Sequence, residues 1–263
     1  METIESTNRI DKLFEEKKDG ILSIYFTAGY PELDDTVSII TSLEESGVDM
    51  IEVGIPFSDP VADGETIQKS SQVALANGMT LSLLFDQLHS LRDQVKVPII
   101  LMGYYNPVYQ YGVEEFCKKC NEVGVDGLII PDLPLYELES EYKALFDNYH
   151  LKNILLITPQ TPDARIYQID AVSSGFNYVV SSASTTGKNK DITKEQEQYL
   201  KRIQKMELNN PAIVGFGIKD KSSFENVCQY ANGAIIGSAF IKAFDNYESI
   251  QKTINTFIKS IKE

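Results

Sequence analysis

Short β-branched runs alternate with amphipathic helical stretches along the whole chain, and this alternation restricts the fold more than any other feature. Strand-like runs fall at 21–27, 51–55, 98–104, 127–130, 154–158, 178–181, 212–214 and 234–236. Between them, apolar residues recur at helical spacing, as at Val37, Ile40 and Leu43, and over 81–95, 113–122, 194–206 and 247–261. A strand, a helix and a second strand in this order make a parallel crossover, because the helix carries the chain back to the sheet edge where the first strand began. About eight such pairs in 263 residues match the repeat number and length of a (β/α)8 TIM barrel. Gly47-Val48-Asp49 and Gly124-Val125-Asp126 each end a helix and launch a strand, as repeated units would. An open, doubly wound sheet is the alternative, but regular units without a composition break favour closure. The expectation is an α/β chain forming one domain over 1–263, with an extra N-terminal helix at 4–18 whose apolar side is Ile10, Leu13 and Phe14.

One of these strands is unusual. Ile51-Glu52-Val53-Gly54-Ile55 is β-branched and apolar but carries a glutamate at its centre. A buried carboxylate is costly unless it is paired or used. Alternation puts Ile51, Val53 and Ile55 on one side and Glu52 with Gly54 on the other. The stiff, acidic loop that follows, Pro56-Phe57-Ser58-Asp59-Pro60-Val61-Ala62-Asp63-Gly64, brings Asp63 back toward the strand end. Two carboxyl groups in different surroundings can have their pKa values pushed apart, which supplies an acid and a base. In a barrel, the C-terminal strand ends and the loops after them face the active site. Candidates there are Thr27, Glu52, Asp63, Tyr104, Asn106, Asp132, Tyr178 and Ser238. Asp59 and Asp132 sit beside prolines, so turn capping and function weigh equally for them.

Glycines mark the ends of the last three strands, at Thr185-Thr186-Gly187, Gly215-Phe216-Gly217 and Gly237-Ser238. Without a Cβ, such positions let an oxyanion approach backbone N–H groups, so a phosphate site is expected there. Tyr25, Phe57, Met102, Tyr104, Ile129, Tyr178 and Phe216 are placed to line the mouth, which suggests a flat apolar group at the other end of the ligand. The polar stretch 182–191 is the longest irregular segment and reads as a lid or binding loop.

Composition narrows the partners. A net charge of −14 argues against nucleic acid, which is bound through basic patches. No apolar run reaches the roughly 18 residues that a membrane span needs. Met1-Glu2-Thr3-Ile4-Glu5 lacks the basic and apolar regions of a signal peptide, so a cytoplasmic location is expected. Cys117 and Cys120 fall inside a helical pattern and read as ordinary helix cysteines, not a redox pair. His89 and His150 have no clustered ligands, so neither a metal site nor a Ser-His-Asp triad is expected.

The stretch from Ile51 to Gly64 closely resembles the signature of the tryptophan synthase alpha chain family. Tyr104-Tyr105-Asn106-Pro107, Pro131-Asp132-Leu133-Pro134, Gly215-Phe216-Gly217-Ile218 and Gly237-Ser238-Ala239 extend the resemblance over essentially the whole chain. It implies a TIM barrel that cleaves indole-3-glycerol phosphate to indole and glyceraldehyde 3-phosphate. It also implies a beta chain as partner, in an α2β2 heterotetramer, with pyridoxal phosphate held by that partner and no cofactor here. Glu52 and Asp63 fall on the family's catalytic carboxylates. Gly187, Gly217, Gly237 and Ser238 fall on its phosphate-binding positions. Tyr25, Met102, Tyr104, Ile129, Tyr178, Thr186 and Phe216 are the implied substrate contacts, and Pro56, Asp59, Asn106 and Asp132 the implied partner side. Glu65 stands where the family usually has proline, and Ser182, Ser184 and Thr185 replace its usual arginine, glycine and valine. The rival expectations are a different phosphate-binding barrel enzyme, or a non-catalytic activator of a beta chain.

Overall fold

A computed structural model describes residues 8–180, 193–215 and 217–263. Its eight strands are β1 (Ile21–Thr27), β2 (Met50–Gly54), β3 (Ile99–Met102), β4 (Gly127–Ile129), β5 (Lys152–Ile157), β6 (Asn177–Val180), β7 (Ala212–Gly215) and β8 (Gly233–Ile236). All neighbours pair in parallel, and β8 returns to β1, with Ile21 opposite Gly233 and Ile24 opposite Ile236. The sheet is therefore closed, which removes the doubly wound alternative. Gly47 and Gly124, the two positions of the repeated Gly-Val-Asp element, share a φ of 79°, a left-handed turn that releases each chain from its helix into the next strand.

Strand alternation separates two cores. Leu22, Ile24 and Phe26 of β1, with Ile51 and Val53 of β2, face outward and pack under the helices. Ile21 and Tyr25 of β1, Met50 of β2, Ile100 of β3, Ile129 of β4 and Tyr178 of β6 fill the barrel interior. Each fully buried aliphatic side chain contributes roughly 1.5–3 kcal/mol. The N-terminal helix, Arg9–Glu16, closes the bottom: Ile10 and Phe14 join the interior, and the Phe14 and Phe176 rings lie 6.1 Å apart. Arg9 and Arg92 both bind Asp126, at 2.9 and 2.5 Å, so this plug is fastened by a buried carboxylate. With the lower barrel filled and sealed, the opposite rim is left for a ligand.

Two local readings change. The expected strand 98–104 ends at Met102, and a helix, Tyr105–Tyr111, lies between it and the expected helix 113–122. The Asp132 carboxylate accepts the Tyr105 N–H at 2.8 Å, and Pro107 is tolerated because it lies in the first turn. Capping from a distant loop decides this helix, so no local pattern announced it. The helical stretch expected over 81–95 is divided into Leu81–Leu88 and a 3-10 turn, Leu91–Asp93. Cys117 and Cys120 are buried, unpaired thiols of the helix Val113–Glu122, as expected. Among the described residues no helix is long and apolar enough to cross a membrane, and no three His, Cys, Asp or Glu side chains are grouped to hold a metal ion.

Candidate active site

Glu52 lies in the barrel interior, 0% exposed, two residues from the rim end of β2. The Ser23 hydroxyl donates to its Oε1 at 3.1 Å, while Oε2 is buried with no hydrogen-bond partner among the described residues. Burial disfavours the ionised form and pushes the carboxyl up to about 8, with the Ser23 hydrogen bond opposing the rise. Near neutral pH both protonation states are accessible, which suits a group that must give and take a proton.

Asp63 arrives from the loop between β2 and the helix Glu65–Ala76. The Tyr104 hydroxyl donates to its Oδ2 at 2.9 Å and itself accepts the Ala62 N–H at 3.0 Å. Gln68 holds the Asp63 carbonyl at 2.8 Å, and the Phe57 ring packs 5.2 Å from that of Tyr104. Tyr104, expected at the mouth as a candidate substrate contact, thus also pins the loop that carries the second carboxyl. Burial raises the Asp63 pKa and the Tyr104 hydrogen bond counters it. The two acids are held by different donors on different elements, so their protonation can be set separately.

Tyr25 and Tyr178 lie near enough to both carboxyls to feel their charge. Burial is the largest cause raising both phenols, and the charges of Glu52 and Asp63 act on each of them, so all four groups share one region. Glycine makes this arrangement possible. A Cβ on Gly54 would lie 2.6 Å from Tyr25 Cζ, and one on Gly215 would lie 2.5 Å from Tyr178 Cζ. Each tyrosine therefore leans across the end of the neighbouring strand, in room that any other residue would fill. Met102 and Ile129 complete this part of the interior.

At the β7 and β8 rim, Gly217 follows β7, and Gly237 precedes a short helix, Ser238–Lys242. A Cβ on Gly237 would stand 3.2 Å from Tyr25 Cδ1, which brings this turn beside the tyrosine. Gly237 is half-buried and Ser238 exposed. Thr186, Gly187 and Phe216, together with Ser182, Ser184 and Thr185, lie outside the described residues.

The surroundings of the other named residues differ. The Thr27 hydroxyl lies 2.7 Å from that of Ser70 and ties β1 to the helix Glu65–Ala76. Glu65 is exposed and pairs with Lys69 at 2.7 Å, so the third acid turns to solvent. Asp59, Asn106 and Asp132 are exposed, Asp132 doubling as the helix cap, whereas Pro56 is buried. Ser23 was missed: a small hydroxyl in a buried strand reads as filler, although it is in phase with Tyr25 on the inward face.

A family model described as tryptophan synthase alpha chain matches residues 11–263. The chain belongs to the tryptophan synthase alpha chain family. A relative of that name from Flavobacterium johnsoniae is 59% identical over 256 residues, covering 97% of this chain and 100% of its own. The crystal structure of tryptophan synthase subunit alpha from Legionella pneumophila is similar with a TM-score of 0.87 and 32% identity, covering 97% of each chain. A chain in the tryptophan synthase complex from Pyrococcus furiosus is similar with a TM-score of 0.84 and 34% identity, covering 93% of this chain and 98% of that one. Membership makes the chain a lyase of tryptophan biosynthesis, whose reaction cleaves indole-3-glycerol phosphate to indole and glyceraldehyde 3-phosphate. The expectation of a different phosphate-binding barrel enzyme is set aside.

Proposed function

We propose that Glu52 transfers the protons of this cleavage and that Asp63 stabilises the charge that develops on the indole ring. The observation that carries this reading is the buried Glu52 carboxyl, raised to about 8, with Oε2 unpartnered among the described residues. Protonated Glu52 delivers its proton to the indole carbon that bears the glycerol chain. The ring becomes an indolenine, positive at nitrogen, and ionised Asp63 accepts the N–H. Glu52, now a carboxylate, takes the proton of the hydroxyl next to the ring. The carbon–carbon bond breaks, its electron pair returns to the ring, and indole leaves with the aldehyde. Glu52 ends protonated, as it began.

Tyr25, Met102, Tyr104, Ile129 and Tyr178, with Thr186 and Phe216, are assigned to the indole and glycerol portions. Backbone N–H groups at Gly187, Gly217, Gly237 and Ser238 are assigned to the phosphate. The chain is taken to act as one domain over 1–263, in the cytoplasm, as alpha subunit of an α2β2 heterotetramer. Pro56, Asp59, Asn106 and Asp132 are assigned to the beta-chain side, and exposure supports all but Pro56. Pyridoxal phosphate is assigned to the beta chain and no cofactor to this one. The test is indole release by the purified chain, with and without beta chain, for the natural protein and Asp63→Asn. Full turnover by Asp63→Asn would remove Asp63 from the mechanism.

A further inference from the structure

Ser23 stands in β1 between Leu22 and Ile24, 0% exposed, on the strand face that also bears Ile21 and Tyr25. A hydroxyl sealed among apolar neighbours is destabilising unless it is hydrogen-bonded, and here it donates to Glu52 Oε1 at 3.1 Å. Register explains the meeting: Tyr25 lies opposite Glu52 and Ser23 opposite Met50, so Ser23 reaches Glu52 from the layer below. The two oxygens of Glu52 are thereby made unequal, since Oε2 is buried without a partner among the described residues.

We propose that Ser23 is a positioning residue, whose hydroxyl engages Glu52 Oε1 so that Oε2 is the oxygen that carries and transfers the proton. The inference rests on the assignment of Glu52 as the proton-transfer group. The chemistry follows from the donor. An acid that receives a hydrogen bond at one oxygen keeps its own proton on the other, because the accepting oxygen then takes the carbonyl form. The contact also fixes the carboxyl plane, so the transferring oxygen is not lost by rotation. A second consequence is electrostatic: a donor to a carboxylate favours the ionised form, so Ser23 holds Glu52 below the value that burial alone would impose. The titratable groups facing Glu52 are Tyr25 of β1, Tyr178 of β6 and, from the loop after β2, Asp63 with Tyr104 beside it. The tyrosines are raised above their ordinary range and stay neutral while Glu52 titrates.

The test is a pH titration of the full-length chain carrying ¹³C-carboxyl glutamate, read by NMR, with Glu52→Gln assigning the resonance. Parallel pH profiles of indole release from indole-3-glycerol phosphate report on function. Ser23→Ala is expected to raise the Glu52 pKa by about one, a tenfold gain in proton affinity, and to move the Glu52 limb of the profile equally. Ser23→Thr keeps the hydroxyl and is expected to hold the natural titration and profile. An unmoved Glu52 titration in Ser23→Ala overturns the proposal. So does a displacement in Ser23→Thr as large as in Ser23→Ala, since packing and not the hydrogen bond would then be responsible. Undiminished indole release by Glu52→Gln would instead overturn the assignment of Glu52.

Discussion

Replacing Glu52 by glutamine should stabilise the protein at alkaline pH while abolishing its chemistry. A carboxyl raised from about 4.5 to about 8 on folding binds more protons in the folded chain than in the unfolded one throughout that interval. Its contribution to stability is fully present below the lower value, declines as pH rises, and is lost above the upper one. At 1.36 kcal/mol per pKa unit the whole interval corresponds to roughly 5 kcal/mol. Water drawn in by the ionised group relieves part of this, so a difference of about 2–5 kcal/mol is expected between pH 5 and pH 9. Glutamine keeps the shape, still offers an acceptor to Ser23, and does not ionise. The variant should therefore match the natural protein near pH 5 and exceed it at pH 9. Urea unfolding at both pH values measures the difference directly. In thermal scans each 1 kcal/mol should appear as about 2–4 °C for a chain of this size. Indole release should fall by about 10²–10⁴ over the same range. Parallel pH–stability curves for the two proteins between pH 5 and 9 would refute the argument, because Glu52 would then titrate as it does in the unfolded chain.

Tyr104→Phe should raise the Asp63 pKa and lower turnover about tenfold or more, since it removes a hydrogen bond to a partly buried carboxylate. Unchanged kinetics across pH would show that Tyr104 only packs. Gly54→Ala should cost about 1–3 kcal/mol of stability and displace the Tyr25 ring, with a rate loss of about 10² if the ring positions the indole. A crystal structure of the variant with Tyr25 unmoved would contradict this. Gly237→Val should weaken affinity for glycerol phosphate more than affinity for indole, measured by calorimetry. Equal losses would point to misfolding or to a phosphate site elsewhere.

What the sequence determined by itself was the part encoded in short-range patterns. The alternating period of strands and helices specified eight β–α pairs, and two glycines at equivalent helix ends marked the repeat. The glutamate at the centre of an apolar strand announced a functional carboxyl, because such a group is costly to bury for nothing. The outward phase of Ile51 and Val53 sufficed to turn Glu52 inward. Tertiary structure alone decided how these groups are held. The Tyr104 clamp on Asp63 joins positions 41 residues apart, and the Ser23 contact with Glu52 joins positions 29 apart. The helix Tyr105–Tyr111 depends on a cap from Asp132, in the next βα loop. The room for Tyr25 and Tyr178 comes from glycines on neighbouring strands, and so exists only once the barrel has set their register. Periodicity is a property of neighbouring residues and is written along the chain. A hydrogen bond between strands depends on closure and register, which bring distant residues to one layer of the barrel.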